Sequence, residues 1–197
     1  RWAEDGARIT GGSSLRFNYE TIKYLQRPKE ERGTPHTVFC GCGVDEFNYG
    51  IHAYSLLSGI LGPGPVSVRH VDHRVQHRVE ITWADGCVGT VMVAGVWIPS
   101  FASIVTEKTV AQFTPDVNLI YRALLEATLP YLAGQTDQAP IPMAELIEPE
   151  LCALAARKSW MNGNRPVALA ELTEADGGYD GKLFAEGYRK ARYPAAK

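Results

Sequence analysis

The segment VDEFNYGIHAYSLLSGILG, residues 44–62, combines a histidine with a nearby amide at helical spacing. His52 follows Asn48 by four residues, so both side chains lie on one face if the segment is helical. The Asn48 amide offers a donor and an acceptor, and an imidazole is a base or a donor near pH 7. Asn48 and His52 are therefore the candidate catalytic pair. The alternative is a partly buried histidine that bonds a backbone carbonyl.

Other residues could bind a ligand near this pair. Arg16, in GGSSLRF, could contact an anion, although the segment lacks the lysine of a phosphate-binding loop. An ion pair that braces the sheet is the alternative role for Arg16. Tyr49, Trp97 and Tyr121 are candidates for stacking on a substrate, and each equally suits a hydrophobic core.

The segment RHVDHRVQHR contains the densest group of histidines. On one continuous strand, His70 and Asp72 would point to one face, and His73 and His77 to the other. These side chains would then not converge on a metal ion. A solvated strand face is the favoured interpretation, and no metal site is predicted. A metal-dependent hydrolase that uses His70, His73 and Cys42 is the alternative.

Hydrophobic periodicity indicates which elements carry these residues. The predicted strands cover residues 7–17, 36–43, 65–76, 77–98, 100–114 and 165–172, and the predicted helices cover residues 18–27, 47–62, 115–135 and 143–164. From residue 65 the period is two, and ADGC is a hairpin signal between long antiparallel strands. We predict an α+β fold, a large and mostly antiparallel open sheet with helices packed on one face.

The strand CVGTVMVAG is apolar on both faces, as expected for a central strand that is covered on two sides. Helices would cover one face and leave the other available for oligomerisation, which predicts a homo-oligomer. We predict one sheet domain over residues 1–172 and a tail, residues 173–197, that packs on or near it.

Composition excludes several partner classes. The chain has 20 basic and 22 acidic residues among 197, so it offers no basic patch for nucleic acid or a membrane surface. The longest apolar run ends at Pro99 and is too short to span a bilayer. Four scattered cysteines suit a reducing compartment, which predicts a cytoplasmic protein. The start at Arg1, inside an apparent element, indicates a truncated chain.

The order of motifs resembles one family. SLRFNYE, YGIHAYSLLSGILGPGPVSVRHV, the VEITWADGCVGTVMVAG hairpin, PIPMAELIEPELCALAARKSW and GNRPVAL resemble the C-terminal domain of the Gfo/Idh/MocA family of NAD(P)-dependent oxidoreductases over about residues 7–172. The positions that match the family pattern around the histidine are Gly50, His52, Leu56, Leu57, Leu61 and Gly62.

The resemblance implies a parent protein in which a Rossmann domain binds NAD or NADP, while this domain closes the substrate site and forms oligomers. No cofactor is expected to bind to this chain alone. His52 would be the active-site histidine that bonds the reacting hydroxyl of a sugar, cyclitol or related polyol. Asn48 stands where the family usually has an aspartate, and Ser55 stands where many members have a second aspartate. The active pair could therefore have moved to Asp45 or Glu46.

Asp45 is accordingly a candidate substrate-binding residue, together with Arg16, Tyr49 and Trp97. The alternative function is a noncatalytic dimerisation or ligand-binding module of the same fold.

Overall fold

The alternating apolar pattern that begins at Pro65 forms a series of paired strands in the computed structural model, which describes residues 5–43, 45–93 and 95–192. The strands in this part of the chain are β1 (Pro35–Gly43), β2 (Pro65–His73), β3 (His77–Trp83), β4 (Val88–Val93), β5 (Ile98–Thr106), β6 (Val110–Phe113) and β7 (Val167–Ala168). The α-helices are α1 (Tyr19–Gln26), α2 (Lys29–Arg32), α3 (Ile51–Leu61), α4 (Ile120–Leu132), α5 (Glu148–Met161) and α6 (Gly181–Arg192). Short 3₁₀ helices cover Ser14–Phe17, Met143–Glu145 and Leu169–Glu171.

The strands form one seven-stranded sheet in the order β6-β5-β1-β4-β3-β2-β7. β1 and β4 pair in parallel, and the other neighbouring strands pair antiparallel. β1 and β4 run in the same direction because they are joined by a long connection, which consists of α3 and the β2–β3 hairpin. The fold is therefore α+β with a mostly antiparallel open sheet, and the predicted fold class is confirmed.

The core lies between the sheet and the helices α3 and α5. α3 packs on β1 and β4, and α5 packs on β2. Along β3, Val79, Ile81 and Trp83 are buried while their neighbours are at least partly exposed, as the period of two predicts. Leu57 of α3 is fully buried and lies over Gly89 of β4, where a side chain would collide with it. Burial of such side chains holds α3, and the turn before it, at a defined place on the sheet.

The opposite face of the sheet remains partly exposed. At its centre, Thr90 and Met92 of β4 alternate with the buried Val91 and Val93. β4 is the fourth of the seven strands in spatial order, so its predicted central position is correct.

One predicted strand, residues 7–17, is wrong. The segment has no regular structure up to Ser13 and then forms the 3₁₀ helix Ser14–Phe17. Gly12 has a φ of 115°, a left-handed conformation that interrupts an extended chain. The Ser13 side chain then accepts the N–H of Leu15 and starts the helix.

The tail contacts the rest of the fold through Asp176 and Tyr179, and the Tyr179 ring also lies under the Arg157 guanidinium. Lys158 of α5 forms an ion pair with Asp176 at 2.9 Å, and Tyr179 stacks on Phe47 with ring centroids 4.6 Å apart. The predicted division of the chain at residues 172 and 173 stays a prediction. No helix in the described ranges has the length and apolarity needed to cross a membrane.

Candidate functional site

A short turn between β1 and α3 carries three of the candidate residues, Asp45, Asn48 and Tyr49. β1 ends at Gly43 and α3 begins at Ile51. The Asp45 carboxylate accepts the backbone N–H of Phe47 at 2.8 Å and that of Tyr49 at 3.2 and 3.3 Å. These hydrogen bonds order the turn, as the side chain of a helix-capping residue does. The structure thus gives Asp45 a local structural task beside its predicted contact with substrate.

Gly50, two residues before the histidine, is required by close packing of the backbone. It has a right-handed helical conformation, with φ −57° and ψ −34°. A Cβ at this position would lie 2.7 Å from the carbonyl oxygen of Asp45 and still closer to that of Glu46. The absence of a side chain therefore allows the turn to run directly into the helix, where the N–H of Ile51 bonds the Phe47 carbonyl at 2.7 Å.

His52 lies partly buried in the first turn of α3. Its Nδ1 is 2.8 Å from the hydroxyl oxygen of Ser13, and the Tyr49 ring packs edge-on against it with centroids 6.1 Å apart. Burial lowers the pKa of His52 below its ordinary value, and the negative charge of Asp45 opposes that shift. The imidazole is therefore neutral near pH 7, so its free nitrogen can donate or accept one hydrogen bond.

Asn48 lies one turn before His52 and faces a cavity of about 760 Å³. Asp45, Glu46, Arg157 and Tyr179 are among the other residues that line this cavity. Cavities of about 300–1,000 Å³ with a few polar groups are typical of small-molecule sites. The turn therefore presents Asn48 to a space large enough for a sugar-sized ligand, whereas His52 is not among the residues that line it.

Trp97 and Tyr49 lie at the same edge of the sheet. The pairing of Gly43 with Ile98 places Trp97 beside the end of β1, where the turn begins. The Trp97 side chain is 73% exposed and that of Tyr49 is 36% exposed, so neither is a core residue. The structure thus brings Asp45, Tyr49 and Trp97 to one edge, and their substrate contacts stay predictions.

Arg16 lies elsewhere. It packs on Gly59 of α3, seven residues after His52, which corresponds to about 10 Å along a helix. Its guanidinium is 4.0 Å from the Glu145 carboxylate. Burial lowers the pKa of Arg16, while the charges of Glu145 and two other glutamates oppose the shift. The structure therefore favours the bracing role of Arg16 and does not bring it to His52.

The interpretation of the histidine-rich segment as a solvated strand face is wrong. The segment is a hairpin rather than one strand, because β2 ends at His73 and β3 begins at His77. An irregular register between His70 and Asp72 accompanies the hairpin. His70 is 2% exposed, and its Nε2 lies 2.9 Å from Nδ1 of His77. Among the described residues, no group of three or more histidine, cysteine or acidic side chains could hold a metal ion.

Sequence reasoning also missed a polar network that reaches the candidate turn. His70 Nδ1 lies 2.8 Å from the Asn164 side-chain oxygen, and His77 Nε2 lies 3.4 Å from the Glu46 carboxylate. Trp160 stacks on His70 with ring centroids 5.6 Å apart. The network links α5 and the β2–β3 hairpin to Glu46, and so helps to position the turn.

Ser13, the hydrogen-bond partner of His52, is another residue that the sequence did not reveal as part of the site. Its sequence signal is a serine after a glycine, which indicates a cap at the start of a helix. The contact with His52 joins residues 39 positions apart and depends on packing of the 3₁₀ helix against α3. No local pattern contains that information.

No protein-family profile and no curated protein matches the sequence. Solved structures do match its fold. Myo-inositol dehydrogenase from Lactobacillus casei, solved with NAD(H) and myo-inositol, has a TM-score of 0.67 and 12% identity, over 91% of this chain and 66% of that chain. Scyllo-inositol dehydrogenase from the same organism, solved with NAD(H) and scyllo-inositol, has a TM-score of 0.65 and 11% identity, over 86% and 67%. GenD2 from gentamicin A biosynthesis, solved with NAD, has a TM-score of 0.61 and 16% identity, over 84% and 65%.

This chain therefore spans about two thirds of the length of these proteins. At 11–16% identity the likeness shows the fold. The fold is shared with these dehydrogenases, and the fold that the resemblance implied is confirmed.

Proposed function

We propose that this chain is the C-terminal substrate-binding and oligomerisation domain of a cytoplasmic NAD(P)-dependent oxidoreductase that acts on a sugar, cyclitol or related polyol. The fold shared with inositol dehydrogenases supports this proposal. The observation that carries it is the position of His52, held by Ser13 in the first turn of α3 and one turn after Asn48.

The chemistry of the turn suits a ligand with several hydroxyl groups. A neutral His52 either donates a hydrogen bond to the reacting oxygen or accepts its proton. The Asn48 amide both donates and accepts, so it suits a second hydroxyl. The exposed rings of Tyr49 and Trp97 offer apolar faces to the C–H groups of a sugar or cyclitol ring.

Two segments that could resemble a pyrophosphate-binding turn for NAD or NADP lack its features. The Gly11–Gly12 pair does not follow a strand, and the 3₁₀ helix after it has only four residues. The turn after β1 carries Asp45 and Glu46, whose negative charge opposes a bound pyrophosphate. We therefore assign cofactor binding to another part of the proposed parent protein, and no step here depends on it.

Oligomerisation through the open sheet face is part of the proposal. The partly exposed Thr90 and Met92, at the centre of that face, are its support. Light scattering coupled to size-exclusion chromatography tests it, with Met92→Glu as the disrupting variant and Val117→Glu, at an already exposed loop position, as the matched control. We expect Met92→Glu alone to lower the mass, and a monomeric wild-type chain would contradict the assignment.

The function is tested on the full-length gene product and on this chain in parallel. Each is titrated with NAD and NADP by calorimetry and assayed for nicotinamide reduction with inositols and simple sugars. We expect binding and turnover in the longer protein only, and His52→Ala to lower kcat by about 10²- to 10⁴-fold. His36→Ala, which alters an exposed histidine on β1, is the matched control and should retain activity.

Two results would overturn the proposal. Turnover by this chain alone would contradict its assignment as an incomplete domain. A full-length product that binds neither cofactor nor polyol would favour the noncatalytic dimerisation or ligand-binding module.

A further inference from the structure

The Ser13 hydroxyl is the side-chain partner of His52. It lies 2.8 Å from Nδ1 of the ring, and Ser13 is only 8% exposed. The same hydroxyl oxygen accepts the backbone N–H of Leu15 at 3.0 Å. Asn48, which occupies the position of the family's aspartate, makes no side-chain hydrogen bond to His52. Ser13 therefore contacts the ring where a carboxylate partner is missing.

The hydrogen-bonding capacity of the hydroxyl favours one direction for the contact. A serine hydroxyl has one hydrogen and two acceptor lone pairs, and the N–H of Leu15 occupies one lone pair. Among the described residues, Nδ1 of His52 is the only acceptor within reach of that hydrogen. The hydroxyl then donates to Nδ1, and the proton of the neutral imidazole lies on Nε2.

We propose that Ser13 is a positioning residue that holds His52 in the tautomer with its proton on Nε2. Nε2 has no hydrogen-bond partner in the described part of the chain, so it is the nitrogen left for a ligand. If the ring proton moved to Nδ1, the hydroxyl would accept it, and its own hydrogen would then have no acceptor among the described residues. A carboxylate at this position only accepts, so it would hold the ring proton on Nδ1 instead. The hydroxyl therefore favours Nε2 as the donor to a ligand.

The tautomer of His52 can be measured on this chain alone. Only the effect of that tautomer on catalysis rests on the proposed function. Long-range ¹H–¹⁵N NMR of the labelled chain at pH 8 reads which ring nitrogen carries the proton. We expect His52 of the wild type to be protonated on Nε2. In Ser13→Ala we expect a mixture of the two tautomers, because no donor then holds Nδ1.

Three variants separate positioning from folding. Ser13→Thr keeps the hydroxyl and should keep the wild-type tautomer. Ser14→Ala removes a neighbouring hydroxyl that is equally buried and should also leave it unchanged. Ser13→Gly keeps a good helix-capping residue but loses the hydroxyl, so it should behave like Ser13→Ala. A wild-type ring protonated on Nδ1, or an unchanged tautomer in both Ser13→Ala and Ser13→Gly, would overturn the inference.

The active parent protein gives a second readout. There we expect Ser13→Ala to lower kcat by about 10- to 100-fold with little change in KM, because the substrate still binds while the reacting nitrogen is misplaced. A tautomer change without any polyol turnover in the parent would refute the proposed function and leave the role of Ser13 intact. Turnover that is equal in wild type and Ser13→Ala would refute the positioning role.

Discussion

Replacing Gly50 by alanine should destabilise the protein at the turn that holds the candidate site. The added Cβ would lie 2.7 Å from the Asp45 carbonyl oxygen, although real Cβ contacts are essentially never under 3.0 Å. The Cβ would also collide with the Glu46 carbonyl oxygen. Both oxygens belong to the backbone, so the turn itself must move. Overpacking costs about 1–3 kcal/mol and a weakened Asp45 hydrogen bond about 0.5–1.5 kcal/mol, against about 1 kcal/mol gained because alanine loses less conformational entropy than glycine on folding. The net loss is about 0.5–3.5 kcal/mol.

Urea unfolding followed by circular dichroism measures this loss as a lower midpoint at constant slope. The matched control is Gly187→Ala, in α6, where an added Cβ meets no atom within 4 Å. That substitution should be neutral or stabilising by up to about 1 kcal/mol. If Gly50→Ala proved as stable as the wild type, the steric argument for this glycine would be incorrect.

Three further predictions concern residues around the same turn. Asp45→Ala should lower the free energy of unfolding by about 0.5–2 kcal/mol, because the turn loses its cap; an unchanged urea midpoint would contradict this. Tyr179→Leu removes the stack on Phe47, so limited proteolysis should cleave α6 faster than in the wild type; equal rates would show that the stack does not hold the tail. The folded-state pKa of His52 is lowered, so its contribution to stability is present above about pH 6.5 and is lost as the pH falls through the folded value. His52→Gln should flatten the stability profile there, whereas His36→Gln should not.

Much of the fold was predictable because its signals are local. A period of two identified β2 to β5, and the ADGC turn separated β3 from β4. Glycine and proline marked the end of α3 at Gly62. The errors have local causes as well: an apparently extended segment was interrupted at Gly12, and the histidines from His70 to His77 were placed on one strand although the chain turns between His73 and His77.

The candidate site was predictable only in part. The four-residue spacing of Asn48 and His52 is a local property of the chain, so the sequence indicated it, although Asn48 lies in the turn before α3. The partners of His52, His70 and Arg16 lie far along the chain, and their positions depend on how helices pack on the sheet.

The sequence by itself determined the alternation of the strands, a helix within residues 47–62 and the presence of a histidine near its start, because each depends on neighbouring residues; the structure begins that helix at Ile51. Only the tertiary structure decided that Ser13 bonds His52, that Arg16 lies with Glu145, and that Trp97 joins the edge where β1 ends. Those contacts exist because burial of the apolar faces brings distant segments together, and a pattern of local spacing does not encode which side chains then meet.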